Sequence, residues 1–146
     1  MQLVDVEPHD ERLVSDVLPV LQELRPHLTT DSIAGIYAEG HPQGLRFLAA
    51  YAGTRCVGVA GWRFVTWTFS GRKLYVDDLV TTTSARSTGV GKALLDELVA
   101  RAREAGCTLI DLDSGVQRGD AHRFYFREGM HISSYHFTRV LGDVTS

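Results

Sequence analysis

At 146 residues the chain has the length of one domain, residues 1–146, with no room for a second of ordinary size. Hydrophobic residues make up 44% and charged residues 23%, as in soluble globular proteins, which excludes disordered, collagen-like and fibrous classes. A net charge of −3 argues against a protein that lives on nucleic-acid phosphates. Cys56 and Cys107 cannot build a disulfide scaffold and read as small buried hydrophobes. No apolar run approaches the ~18 residues of a membrane helix. Residues 1–12 are acidic and lack an export leader. The expectation is a cytoplasmic protein with no membrane and no nucleic-acid partner.

Taken in chain order, residues 2–7 alternate and predict a first strand. Val14, Val17, Leu18, Leu21, Leu24 and Leu28 recur at helical spacing, with Pro19 inside the pattern to kink or split the helix. Thr30 or Asp31 predicts the cap of a second helix that runs through Glu39. Residues 45–52 and 56–68 predict two strands joined by a turn at Gly53, Thr54 and Arg55. A second turn at Ser70, Gly71 and Arg72 leads to a strand over 73–82. Residues 89–105 predict the clearest helix, with Val90, Ala93, Leu94, Leu98 and Ala102 on one face and Gly106 as its stop. A strand over 108–113 follows, then a short helix capped by Asp120 and stopped at Gly129. One or two strands over 130–140 close the chain. The order is β-α-α-β-β-β-α-β-α-β, an α/β (α+β) fold with a mixed, mostly antiparallel central sheet flanked by helices. Its strand-helix-strand unit over 73–113 predicts one parallel pair.

The strongest local signal is the segment Arg86, Ser87, Thr88, Gly89, Val90, Gly91, Lys92, placed between a strand and an amphipathic helix. A helix N-terminus offers unpaired N–H groups and about half a positive charge, and glycines let the backbone approach an anion. Arg86 adds a charged fork. Such a start suits a pyrophosphate. The Walker pattern would need glycine at Arg86 and a hydroxyl at Ala93, and the dinucleotide fingerprint would need glycine at Leu94. Neither fits; a glycine-rich helix start with no ligand is the plain alternative.

Arg86-x-x-Gly89-x-Gly91, after a strand and before a helix, resembles the acyl-CoA-binding motif of the GCN5-related N-acetyltransferases (GNAT). Downstream, Ala121-x-x-Phe124-Tyr125-x-x-x-Gly129-Met130 resembles a second segment of that family, one helix and one strand further on. The order of elements is similar to the GNAT fold over essentially the whole chain. The resemblance implies an acetyl-CoA-dependent N-acetyltransferase that acts on a primary amine by direct attack in a ternary complex. It implies that backbone near Leu79, Val80 and Thr81 binds the pantetheine arm. Residues 86–92 would hold the pyrophosphate, and Tyr125 would be the general acid. A phenol with a pKa of ~10 is protonated at neutral pH and suits a departing thiolate. Where the family often carries asparagine, this chain has Arg118, which is left to meet a 3′-phosphate or a substrate carboxylate. The alternative is a noncatalytic acyl-CoA-binding sensor or regulatory module.

An acceptor amine must lose a proton to attack, and a carboxylate near the strand break is the usual candidate base. Asp77 and Asp78 are adjacent, so strict alternation turns only one into a given cleft. Asp77 is favoured because it shares a face with Tyr75 and Leu79; Asp113 is a rival, and an electrostatic anchor for the amine, or a pair with an arginine, is the plainer role for each. His122, His131 and His136 lack the spacing of a zinc site, so no metal is expected. Trp62, Trp67, Phe47 and Tyr51 read as core. The acceptor wall draws candidates from residues 24–28, Tyr37, Trp62, Tyr135 and His136, whose mixed chemistry selects no substrate. Open sheet edges and apolar late strands suit a homodimer.

Overall fold

The computed structural model describes residues 1–144. Five strands form one sheet in the order β1-β2-β3-β4-β5: Gln2–Val6, Arg46–Ala52, Arg55–Trp67, Gly71–Thr81 and Leu109–Leu112. The first four are antiparallel neighbours, and β4 and β5 form the expected parallel pair. The long connection between that pair is α3, Val90–Glu104, which buries Val90, Leu94, Leu95, Leu98 and Ala102.

The N-terminal helical region is more broken than its periodicity suggests. A π-helical turn at Leu13–Val17 runs into α1, Leu18–Gln22. Pro19 sits in the first turn of α1, where its missing N–H leaves no helical bond unmade. The helix stops short of Leu24 because Arg25 precedes Pro26, and a residue before proline disfavours helical backbone. Leu28 is buried all the same. α2, Thr30–Gly40, is capped one residue earlier than expected. The Thr29 hydroxyl accepts from the Ser32 amide and the Ser32 hydroxyl accepts from the Thr29 amide, which closes a capping box. α4, Gly119–Arg127, begins before Asp120, which lies in its first turn instead of capping it. There its charge still favours the helix dipole.

The sheet separates two apolar clusters. On one face Val17, Leu21, Ile33 and Tyr37 of the N-terminal helices pack against Phe47, Ala49, Val59 and Val80. On the other, α3 packs against Leu48, Ala60, Leu74 and Val76. The first cluster is pinned by the Tyr37 hydroxyl, which donates to the Val6 carbonyl at 2.7 Å.

The expected strands over 130–140 do not form. After the Met130 amide donates to the Tyr125 carbonyl, residues 131–144 make no backbone hydrogen bond among the described residues. A strand needs a ladder neighbour, and among the described residues this segment pairs with no edge of the sheet. The element order therefore ends in α4.

Candidate active site

The site follows from where β4 and β5 part company. Their register runs from Lys73 opposite Leu109 to Val76 opposite Leu112 and then stops. β4 continues through Asp77, Asp78, Leu79, Val80 and Thr81, paired on that stretch only with β3. The gap is lined by Val76, Asp77, Asp78, Leu79, Leu112, Asp113, Arg118 and Tyr125, with Leu24 and Arg25 from beyond α1. Its enclosed volume is about 20 Å³.

The two aspartates do not obey strict alternation. Gly61 of β3 lies opposite Asp78 and Trp62 opposite Val76, so Asp77 is an extra residue, a β-bulge. The side-chain pattern changes hands there. Leu74 and Val76 face α3; beyond the bulge it is Leu79 that packs on the α3 side, while Val80 joins the opposite cluster. Both aspartates consequently line the same cleft, and Asp77 does not share a face with Leu79. Gly61 makes room for this turn of the strand: a Cβ there would stand 3.1 Å from the Phe47 ring and 3.4 Å from the Asp78 carboxylate.

Each carboxylate has its own arginine. Arg63 of β3 makes a two-pronged contact with Asp77, at 3.0 and 2.9 Å. Arg25 contacts Asp78 through a single oxygen, at 3.2 and 3.0 Å. Burial raises the Asp78 pKa above the ordinary carboxylate range, against the pull of Arg25, and the negative charge of Asp77 adds to the rise. Tyr75, on the same strand, donates to Asp113 at 2.7 Å.

Tyr125 projects into the gap from α4. Burial lifts its pKa, partly offset by the neighbouring Arg118, so the phenol stays protonated at neutral pH. Arg118 sits at the N-cap of α4 and lines the same gap.

The helix start ahead of α3 is opened by glycine. Gly89 caps it at φ +86°, a backbone region that disfavours side chains, and no side chain caps the first amides. Ser87 also has positive φ, at 63°. Arg86, Ser87, Thr88 and Gly89 are all exposed, and Gly91 lies against the Phe124 ring and the Thr81 hydroxyl. The Lys92 ammonium is drawn to Asp96 at 3.3 Å and Glu128 at 3.4 Å. The connection from β4 is fixed by Glu23, which accepts from the Thr83 amide and hydroxyl at 2.9 and 2.8 Å. Neither Glu23 nor Arg63 stands out in the sequence, because their partners come from distant elements.

Other candidates fall elsewhere. Tyr37 and Trp62 are core residues, buried on opposite faces of the sheet. His122 hydrogen-bonds the Gly115 carbonyl at 2.9 Å. Tyr135 is exposed, and His136 touches Asp113 at 3.3 Å. A roomier cavity of about 630 Å³ opens beside α1, lined by Asp16, Glu23, Arg55, Cys56 and Thr83. It holds neither Tyr125 nor the paired aspartates, and burial pushes its Cys56 thiol up to about 11. Among the described residues no helix is long and apolar enough to cross a membrane.

The model of the acetyltransferase (GNAT) family matches residues 11–130. An uncharacterized N-acetyltransferase of Bacillus subtilis is 37% identical over 123 residues, 83% of this chain and 87% of the relative. An aminoalkylphosphonate N-acetyltransferase of Salmonella typhimurium is 39% identical over 66 residues, 45% of this chain and 43% of the relative. Among solved structures, an aminoglycoside N-acetyltransferase in complex with CoA matches the fold with a TM-score of 0.82 at 14% identity, covering 96% of this chain and 93% of that one.

Proposed function

The chain belongs to the acetyltransferase (GNAT) family and is an acetyl-CoA-dependent N-acetyltransferase, and from that premise we propose which of its residues do the work. The observation that carries the reading is the opening that gathers a protonated phenol, a carboxylate with a raised pKa and unpaired strand backbone. Leu79, Val80 and Thr81 present main-chain groups with no β5 partner, which suits the amides of a pantetheine arm. The uncapped amides of Val90, Gly91 and Lys92, with Arg86, Ser87 and Thr88 before them, suit its pyrophosphate. These residues fit acetyl-CoA as the acyl donor.

Asp78 takes the proton from the acceptor ammonium. Its raised pKa brings it nearer to an amine than an ordinary carboxylate would be, and Arg25 keeps it placed. Asp77, both of whose oxygens are committed to Arg63, acts as an electrostatic anchor. The freed amine forms a new N–C bond with the acetyl carbonyl, the C–S bond breaks, Tyr125 gives its proton to the leaving sulfur, and the proton that the nitrogen sheds on becoming an amide restores the phenol.

The acceptor is a small zwitterion: a primary amine that also carries an acidic group. Asp77, Asp78 and Asp113 meet the ammonium, and Arg118, with no carboxylate partner among the described residues, meets the acid. The partial relative that acts on aminoalkylphosphonates supports that class. A cytoplasmic setting goes with this reading, and the free thiols of Cys56 and Cys107 agree with it. The test is release of free CoA thiol from acetyl-CoA across a panel of amines with and without an acidic group. Turnover concentrated in the acidic amines supports the assignment; equal turnover of neutral diamines overturns the acceptor class.

A further inference from the structure

Two fastenings of the site come off one short stretch of chain. α1 ends at Gln22, and the next three residues fold back on it. The Glu23 amide donates to the Val20 carbonyl at 3.1 Å, and the Leu24 and Arg25 amides donate to the Leu21 carbonyl at 3.0 and 2.8 Å. From this turn the side chains reach in different directions. Glu23 accepts from the Thr83 amide and hydroxyl, and so holds the turn through which β4 enters residues 86–92. Arg25 donates to Asp78. Leu24, between them, lines the gap. Glu23 and Thr83 are both exposed, so their double contact adds little to stability. Among the described residues one other side chain reaches residues 83–85 from outside: Arg55, at the start of β3, donates to the Ser84 hydroxyl.

Arg25 holds Asp78 loosely. Both of its donors fall on one carboxylate oxygen, and the other oxygen has no hydrogen-bond partner among the described residues. The Arg63–Asp77 pair shows the tighter alternative, with one donor on each oxygen. A small movement of the turn at 23–25 therefore changes how firmly Asp78 is gripped. Asp78 faces Arg25, Asp77 and Arg118, with Asp113 and Tyr125 along the same gap. Of these groups Arg25 alone shares a turn with Glu23. The donor segment also touches α4, where Gly91 meets the Phe124 ring, but that contact does not pass through Glu23.

We propose that Glu23 is a positioning residue that ties the donor-binding segment to the base. An anion held by residues 86–92 fixes Thr83, Thr83 fixes Glu23, and the shared turn draws Arg25 fully onto Asp78. The guanidinium then favours the ionised carboxylate, so the base is ready when the donor is in place. The tie rests on the donor and base assignments made under the proposed function.

The test is an NMR titration of the full chain with isotope-labelled aspartate carboxyls, with and without saturating ADP. The Asp78 signal is assigned by its loss in Asp78→Asn. ADP carries a pyrophosphate and no pantetheine arm, so nothing enters the gap. Its negative charge alone would raise the Asp78 pKa. The tie predicts a fall, by about half a pH unit, which is a roughly threefold change in the protonation constant. Glu23→Ala is expected to abolish the fall while binding ADP, by calorimetry, within roughly tenfold of the parent. Glu23→Gln, whose amide oxygen still accepts from Thr83, is expected to keep part of it. Arg55→Ala, which frees the same turn on its other side, is expected to keep all of it. A fall that persists in Glu23→Ala overturns the proposal, as does one lost equally in Arg55→Ala. So does a parent in which bound ADP leaves Asp78 unmoved or raises it. Failure of ADP to bind the parent overturns the donor segment and the tie with it. Full turnover by Asp78→Asn, with the fall present in the parent, moves the base elsewhere and leaves the tie standing.

Discussion

The two halves of β4 share a strand and differ in everything that matters for chemistry. From Gly71 to Val76 the strand runs beside β3, with its later residues flanked by β5 as well; it buries the apolar Leu74 and Val76, and its one buried charge, Lys73, is paired with Asp111 at 2.9 Å. From Asp77 to Thr81 it is paired on one side only and carries two carboxylates. The first half is a structural seam; the second is left open on its β5 side. One extra residue, Asp77, separates them. The lesson is that a single bulge both ends the pairing pattern and turns two adjacent acids toward one cleft.

The most forceful way to break the second half is to remove its acid from across the gap. Tyr125→Phe should lower kcat by roughly 10²-fold or more while leaving acetyl-CoA binding measurable by calorimetry. Unchanged turnover would strip Tyr125 of its role. Asp78→Asn should lower kcat/KM on a similar scale and remove the acid limb of the pH profile. The wild-type rate should fall as pH drops through the raised pKa of Asp78, since the base must be ionised. Stability should move the other way. A raised folded-state pKa means that Asp78 favours folding at low pH and that the gain is lost as pH rises through that value. At neutral pH the ionised, buried carboxylate is a liability, so Asp78→Asn should melt no lower than the parent there. A marked loss of Tm at pH 7 would contradict this.

The seam should respond in the opposite sense. Leu74 is completely buried, so Leu74→Ala should cost about 2–5 kcal/mol, read in urea melts, with kcat nearly intact at low temperature. The smallest effect belongs to the anchor. Arg63→Ala should change KM for the amine by a few-fold and stability by ~1 kcal/mol or less, because its ion pair with Asp77 is only half-buried. A loss of kcat as large as that of Asp78→Asn would move the base to Asp77.

What could be read beforehand depended on how local the cause was. The apolar face of α3, its glycine start and the hairpin between β2 and β3 were legible because neighbours in sequence determine them. Tyr125 and residues 86–92 were legible through spacing. The bulge was not, since alternation around Asp77 looks regular until β3 is laid beside it. Neither was the pairing of Arg63 with Asp77, which depends on strand register, nor the end of α1 at Gln22, where Pro26 outweighs the continuing leucine spacing. Residues 130–140 carry a strand pattern that their own fold leaves unsatisfied, because pattern records what a segment can pair with and not where the neighbour is.

The gap between β4 and β5 narrows to nothing at Val76 and Leu112, where the ladder begins. A slot of that form is a ruler. A donor threaded along Leu79 and Val80, as proposed above, would end against a floor of paired backbone, and each further methylene on its acyl group would have to prise strands apart. On the proposed reading the start of the ladder limits acyl length, and propionyl and butyryl thioesters should turn over progressively more slowly than acetyl.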